Sequence, residues 1–189
     1  GGRYGSASSP APVVGLCLSG LSAGLDIGFS LFLIAVMRTQ VEGVLSKPVV
    51  ELLVANMAAV GFIFVVAGRS DLFTEQTTLA VLPVLNGKAT VGELARTWAV
   101  VYVANLIGTA AFAWLAVLIG PSLHVIDRRA FGEIALTLTN PPGHFILFSG
   151  FLAGWLMGLL SWLVAASRDP IGPLVLTWLI PAGSVHFPP

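Results

Sequence analysis

The sequence predicts an all-α membrane protein built as an inverted repeat with broken helices. Three observations carry that prediction: there is too little charge for a water-facing surface, four apolar runs are long enough to cross a bilayer, and one glycine pattern occurs twice. Of the 189 residues, 56% are hydrophobic and 10% are charged, with a mean hydropathy of +0.92. A soluble domain carries about a quarter charged residues, so a lipid solvent fits this composition and water does not. The formal net charge of zero gives no electrostatic case for nucleic acid. Cys17 is the only cysteine, which excludes an intrachain disulfide and a thiolate metal cluster. No histidine pair at helical spacing and no phosphate loop occurs, so no metal, nucleotide or redox cofactor is expected.

Residues 1–12 are rich in Gly, Ser and Pro and read as a disordered tail; residues 13–189 form the transmembrane domain. Crossing the hydrocarbon takes about 20 mainly apolar residues. Val13–Met37, Val49–Ala67, Leu94–Ile119 and Phe145–Ala166 qualify. Two apolar pieces, Thr77–Leu85 and Ile171–Ala182, are too short to cross alone. The first follows Val49–Ala67 after the polar knot Gly68-Arg69-Ser70-Asp71-Leu72-Phe73-Thr74-Glu75, which predicts one helix broken inside the membrane. Non-helical backbone at that depth survives only where protein or a polar cavity surrounds it, so the break is the first pointer to function. The connecting segments Arg38–Pro48, Asn86–Glu93, Gly120–His144 and Ser167–Pro170 are read as loops. Lys and Arg are shared between alternate loops, so charge sets no orientation. Trp98 and Trp162 are expected as interfacial anchors, and Trp155 and Trp178 as packing residues.

The repeat is read directly. Ser19-Gly20-Leu21-Ser22-Ala23-Gly24-Leu25-Asp26-Ile27-Gly28 and Ser149-Gly150-Phe151-Leu152-Ala153-Gly154-Trp155-Leu156-Met157-Gly158 both spell S-G-x-x-A-G-x-x-x-G. Glycines four apart stack on one helix face and let a neighbouring backbone approach. Gly20, Gly24, Gly28, Gly150, Gly154 and Gly158 are therefore candidate packing positions. Ala67-Gly68 and Ala182-Gly183 give a second, weaker match. Three helices separate each element from its counterpart, and an odd number inverts the halves, a recurring transporter plan. The first repeat spans about 13–119 and the second, incomplete, about 134–189, so the chain is expected to be C-terminally truncated.

Ionisable groups within the apolar regions are few. Asp26 is a candidate functional group, since a carboxylate in a bilayer costs about 3 kcal/mol; a structural hydrogen bond is the equal alternative. Arg69, Asp71 and Glu75 are expected to form local ion pairs that hold the loop, with Arg69 drawing anions inwards as the sharper alternative. His124 and His144 are expected to be solvated. Asn140-Pro141-Pro142 reads as a turn.

The run Asp71-Leu72-Phe73-Thr74, followed by Trp98-Ala99-Val100-Val101-Tyr102-Val103-Ala104-Asn105-Leu106-Ile107-Gly108, resembles the signature of the formate–nitrite transporter family, a [D/E]-L-F-T loop and a helix with W-x-x-V-Y-x-x-N-x-x-G. The resemblance runs from about Val13 to the C-terminus. It implies a six-helix, aquaporin-like protomer, of which about five helices are present, assembled as a pentamer in the bacterial inner membrane. Each protomer would pass a small monovalent anion such as formate or nitrite, or its neutral acid, with possible proton coupling. Leu72, Phe73 and Thr74 would form the loop that constricts the pore, and Asn105 and Gly108 would brace the helix against that loop. His186, in Gly183-Ser184-Val185-His186-Phe187, is the nearest candidate for the family's pore histidine and would supply a proton near neutral pH. The family's asparagine on the fourth helix is replaced by Gly154. These departures point to a less characterised branch. Two other classes compete: a truncated, transport-incompetent fragment, and an intramembrane hydrolase using Ser184 and His186. The second is disfavoured, because two residues apart they form no usual nucleophile–base pair.

Overall fold

The computed structural model describes residues 13–167 and 171–184; the N-terminal tail and His186 lie outside the described residues. Four helices are long and apolar enough to cross a membrane: α1 (Val13–Val41), α2 (Lys47–Gly68), α5 (Val91–Ser122) and α7 (Gly143–Ala166). Shorter helices fill the intervals: α3 (Phe73–Leu79), α4 (Val81–Leu85), α6 (Arg128–Thr139) and α8 (Gly172–Ser184). The predicted spans are found in place, each extended by a few residues. At about 1.5 Å per residue, the 32 residues of α5 reach about 48 Å, more than the roughly 30 Å of hydrocarbon.

The ends of these helices are written locally. Ser46 is extended and Pro48 opens α2, where a missing N–H costs nothing. A capping box starts α5: the Glu93 N–H donates to Thr90 Oγ1 at 3.2 Å, and the Thr90 N–H donates to Glu93 Oε2 at 2.8 Å. The stop of α2 is the consequential one. Arg69 sits in the left-handed region at φ 53, its N–H reaching Val66 O, while the Ser70 N–H reaches Val65 O at 3.0 Å. These are the two bonds of a Schellman stop, a place where glycine is usual. An L-residue there costs about 1–2 kcal/mol, so the surrounding contacts hold this break against local preference.

Helix α1 lies at the centre, packed most extensively on α5 and then on α2. Its glycine face meets α5 backbone to backbone. A Cβ added at Gly24 would overlap Asn105 O and come within 3.0 Å of Gly108 Cα, and one at Gly108 would overlap Leu21 O. Interhelical hydrogen bonds follow from that approach: Thr109 Oγ1 donates to Gly24 O at 3.0 Å, and Asn105 Nδ2 donates to Gly20 O at 2.8 Å. Against α2, the Ser30 hydroxyl donates to Ala58 O at 3.0 Å and accepts from the Gly61 N–H at 2.6 Å. Such bonds and small-residue packing replace the hydrophobic drive that lipid removes.

The second half is built differently. Helix α8 packs on α2 and α7, with Trp178 Nε1 donating to Asn56 Oδ1 at 2.8 Å. Helix α7 also touches α3, but nothing lies within 4 Å of a Cβ built at Gly150 or Gly154. The packing role expected for these two glycines has no partner among the described residues. Trp155 beside them is 63% exposed, contrary to the packing role expected from its sequence position.

The segment expected as a long loop between α5 and α7 contains α6. Asp127 caps it by accepting from the Arg129 N–H at 2.9 Å. Its inner side, Ala130 with Phe131 and Ile134, packs on Ala35 and Ile126. Two arginines and a glutamate over 12 residues lower its hydropathy below that of a span, and its 3.6-residue periodicity is that of a surface helix.

Gly24→Leu should displace α5 from α1 and destabilise the chain by about 1–3 kcal/mol or more, as overpacking does. Gly150→Leu in the same 189-residue chain should leave the thermal midpoint in detergent nearly unchanged. Equal loss in both would mean that the α1–α5 approach is not what the glycines secure. Arg69→Gly should hold or raise the midpoint, by up to about 1 kcal/mol of relieved backbone strain.

Candidate functional site

Between α2 and α3 the chain leaves the helix for residues 69–72, and these four residues organise the site. The Arg69 and Ser70 N–H groups stay on α2 carbonyls, and Asp71 is held by side chains from other helices. The Asp71 N–H donates to Ser19 Oγ at 2.9 Å, and Ser70 Oγ lies 3.4 Å from Ser22 Oγ. Asn105 does the most: its Oδ1 accepts from the Phe73 N–H at 2.8 Å, and its Nδ2 donates to Asp71 O at 3.1 Å as well as to Gly20 O. One amide, 9% exposed, therefore ties α5 to α1 and both to the loop. That is the demand membrane burial makes on irregular backbone.

Phe73 turns towards α5. Its ring meets Tyr102 edge-on at 5.0 Å and Trp98 at 6.5 Å, so it anchors the start of α3 on the tryptophan–tyrosine face of α5.

On the opposite side of the loop, towards α7, lies a cavity of about 20 Å³. That is room for about one water molecule. Helix α2 lines it with Phe62, Val65 and Val66, the loop with Leu72, and α3 with Thr74 and Glu75. Helix α7 closes it with Met157, Leu160, Ser161 and Val164. Ser161 is 6% exposed, and its hydroxyl donates to Met157 O at 2.9 Å, which leaves its lone pairs as acceptors. The arrangement is a small, mostly apolar cavity with a few polar groups beside the broken helix.

The chain matches the model of the formate/nitrite transporter family over residues 3–185. It belongs to that family. Inner membrane protein YfdC of Escherichia coli K12 is 33% identical over 172 residues, covering 89% of this chain and 54% of YfdC. Formate channel FocA of the same strain is 27% identical over 156 residues, 79% of this chain and 52% of FocA. The chain thus spans about half the length of these curated relatives. Two solved structures share the fold: an FNT family ion channel with TM-score 0.79 at 24% identity, covering 91% of this chain and 67% of the other, and a pentameric formate channel with formate bound, with TM-score 0.73 at 23% identity, covering 92% and 68%. Family membership, four spans and the shared fold make this an integral membrane protein.

Within this family fold, the structure gathers some of the predicted residues and separates others. Leu72 and Thr74 stand in the cavity wall, and Phe73 is not among the lining residues. Gly20, Gly24, Gly28 and Gly108 all lie at the α1–α5 contact, so Gly108 meets the α1 backbone and not the loop it is expected to brace. Asp26 lies on α1 away from the cavity lining, with its carbonyl against Gly61. The ion pair found among the described residues is Arg38 with Glu51, 3.4 Å apart across the α1–α2 turn. Arg69 is exposed and makes no such pair with Asp71 or Glu75 among the described residues.

Ser19 and Ser22 were missed as functional positions. Both lie inside the repeated S-G-x-x-A-G motif, where serine was read as part of a packing pattern. The cavity residues of α2 and α7 carried no sequence signal beyond hydrophobicity.

Asn105→Leu, similar in volume, would leave the Phe73 N–H and two carbonyls without their amide partner. The expected loss is about 2–3 kcal/mol by thermal unfolding in detergent, with faster hydrogen exchange at Asp71–Phe73. Ser19→Ala, which removes one bond, should cost about 1 kcal/mol. Unchanged exchange at the loop in Asn105→Leu would show that other contacts hold it.

Proposed function

We propose that the chain forms the pore-bearing part of a channel-like transporter for a small monovalent anion of the formate type, or its neutral acid. The observation that carries this reading is the cavity where α2 is broken. A short apolar collar from Phe62, Val65 and Leu72 meets α7 at Leu160, with the hydroxyls of Thr74 and Ser161 beside it. Hydrated ions are rejected by such a collar, because stripping their water without replacing it is costly. A small solute that trades water for two hydroxyls and passes in a few ångströms is the fitting cargo. The similarity to FocA, a formate channel, supports this substrate class.

The proposed pathway runs between α2 and α7, with Leu72 and Thr74 at its narrowest part and the loop held by Asn105. A homo-oligomer, pentameric as in the formate channel of like fold, and a bacterial inner membrane, as for YfdC, complete the proposal. His186 remains a candidate proton donor at the pore, and Asp26 a second ionisable candidate on α1.

The test is flux into proteoliposomes by the complete gene product, offered formate, nitrite, lactate and hydrosulfide with and without a proton gradient. At least one of the four should enter at rates well above protein-free vesicles. Leu72→Trp, which fills a cavity of about 20 Å³, should cut that flux by about tenfold or more. Correctly assembled protein that moves none of the four would end the anion-channel assignment.

A further inference from the structure

We propose that Glu75 is a specificity-determining residue of this constriction, one that bars the bare anion and favours a permeant carrying its proton. The inference rests on the transport reading above and says which form of the solute passes.

Glu75 follows the Leu72-Phe73-Thr74 run and, with Thr74, forms the α3 side of the cavity wall. It is partly buried. Among the described residues no cation pairs with it: the ion pair found there is Arg38 with Glu51 at another place in the fold, and Asp71, four residues before Glu75, carries the same sign of charge. Among the described residues the other packed elements bring no compensating charge to it, and Arg96 on α5 is exposed and in no ion pair there. Helix α5 offers Tyr102 on Phe73, α4 is Val81–Leu85 without an ionisable side chain, and the α2 and α7 residues in the wall are uncharged.

The hydrogen-bonding chemistry points the same way. An ionised carboxylate is acceptor-only, and a serine hydroxyl whose proton is committed to a backbone carbonyl offers only lone pairs. Ser161 is in that state through Met157 O. Of the polar groups in the wall, only the Thr74 hydroxyl is left to donate among the described residues. While Glu75 is ionised, a carboxylate or nitrite ion, itself acceptor-only, meets its repulsion and finds one donor. The conjugate acid carries an O–H that either Glu75 or Ser161 can accept, and it brings no charge into a poorly solvated passage. The carboxyl of Glu75 thus sorts the two protonation forms of a single solute.

The experiment is formate flux in proteoliposomes holding the complete gene product, comparing wild type with Glu75→Gln, Glu75→Ala and Glu75→Asp across neutral to mildly acidic pH. Wild-type flux should climb steeply as pH falls and the protonated acid becomes more abundant. Glu75→Gln and Glu75→Ala should raise flux at neutral pH by about tenfold, equivalent to about 1.4 kcal/mol, and flatten the pH profile. Glu75→Asp, which keeps the charge, should retain the wild-type profile, a rescue that a purely structural role would not give. If either neutral variant folds and its neutral-pH flux and pH profile match wild type, Glu75 is not the selector, while the transport assignment stands. The same comparison is made with whichever of formate, nitrite, lactate and hydrosulfide wild type carries; if it moves none of the four in either form at any pH, both readings fall together.

Discussion

Backbone that leaves the helix inside a bilayer has no water to turn to, and satisfying four such residues is the constraint on which this fold rests. Asn105 meets one part of it and fixes the start of α3. Its amide is a donor and an acceptor on one rigid plane, so it can bond a loop N–H and a loop carbonyl while also reaching Gly20 O on α1. That reach exists only because α1 and α5 nearly touch. With side chains at Gly24 or Gly108 the two backbones would separate, and Asn105 would lose its hold on Gly20. The glycine face and the broken helix are thus two parts of one device.

The break itself runs against local preference. Arg69 occupies a left-handed conformation better suited to glycine, and an unbroken α2 would otherwise be free to continue into the polar knot. The strain is offset by bonds made at a distance, through Ser19, Ser22 and Asn105. Irregular backbone held by distant contacts is where functional sites tend to lie, and the cavity opens directly beside this one. Phe73, anchored on Tyr102 and Trp98, fixes the start of α3, so that Leu72 and Thr74 are presented to α7 in a set geometry. The α5 side of the loop is thus held by bonds and ring contacts, and the cavity lies on its α7 side.

The two halves of the repeat meet different surroundings. The glycines of α1 are covered by α5, whereas those of α7 at Gly150 and Gly154 are open, as are Phe148, Phe151 and Trp155 on the same helix. Identical spacing has therefore produced two different environments. A glycine pattern states that a backbone can approach; it does not supply the partner.

The four spans, the break after Gly68 and the glycine face of α1 were legible in the sequence, because each depends on spacing along one helix or on local hydropathy. The loop motif and the Trp98–Gly108 pattern, through their resemblance to the formate–nitrite transporters, also marked Leu72, Thr74 and Asn105 before any contact was known. Helix α6 was missed, since its charges masked an amphipathic period. What only the tertiary structure decided is which way each marked residue faces. Phe73 turns to α5 and Glu75 to the cavity, Ser19 leaves the packing pattern to hold a loop N–H 52 residues away in sequence, and Arg69 stays outside the expected ion pairs. Sequence periodicity fixes a residue's place on its own helix. Its partners depend on how helices cross, and that is set by long-range contacts that no local pattern encodes.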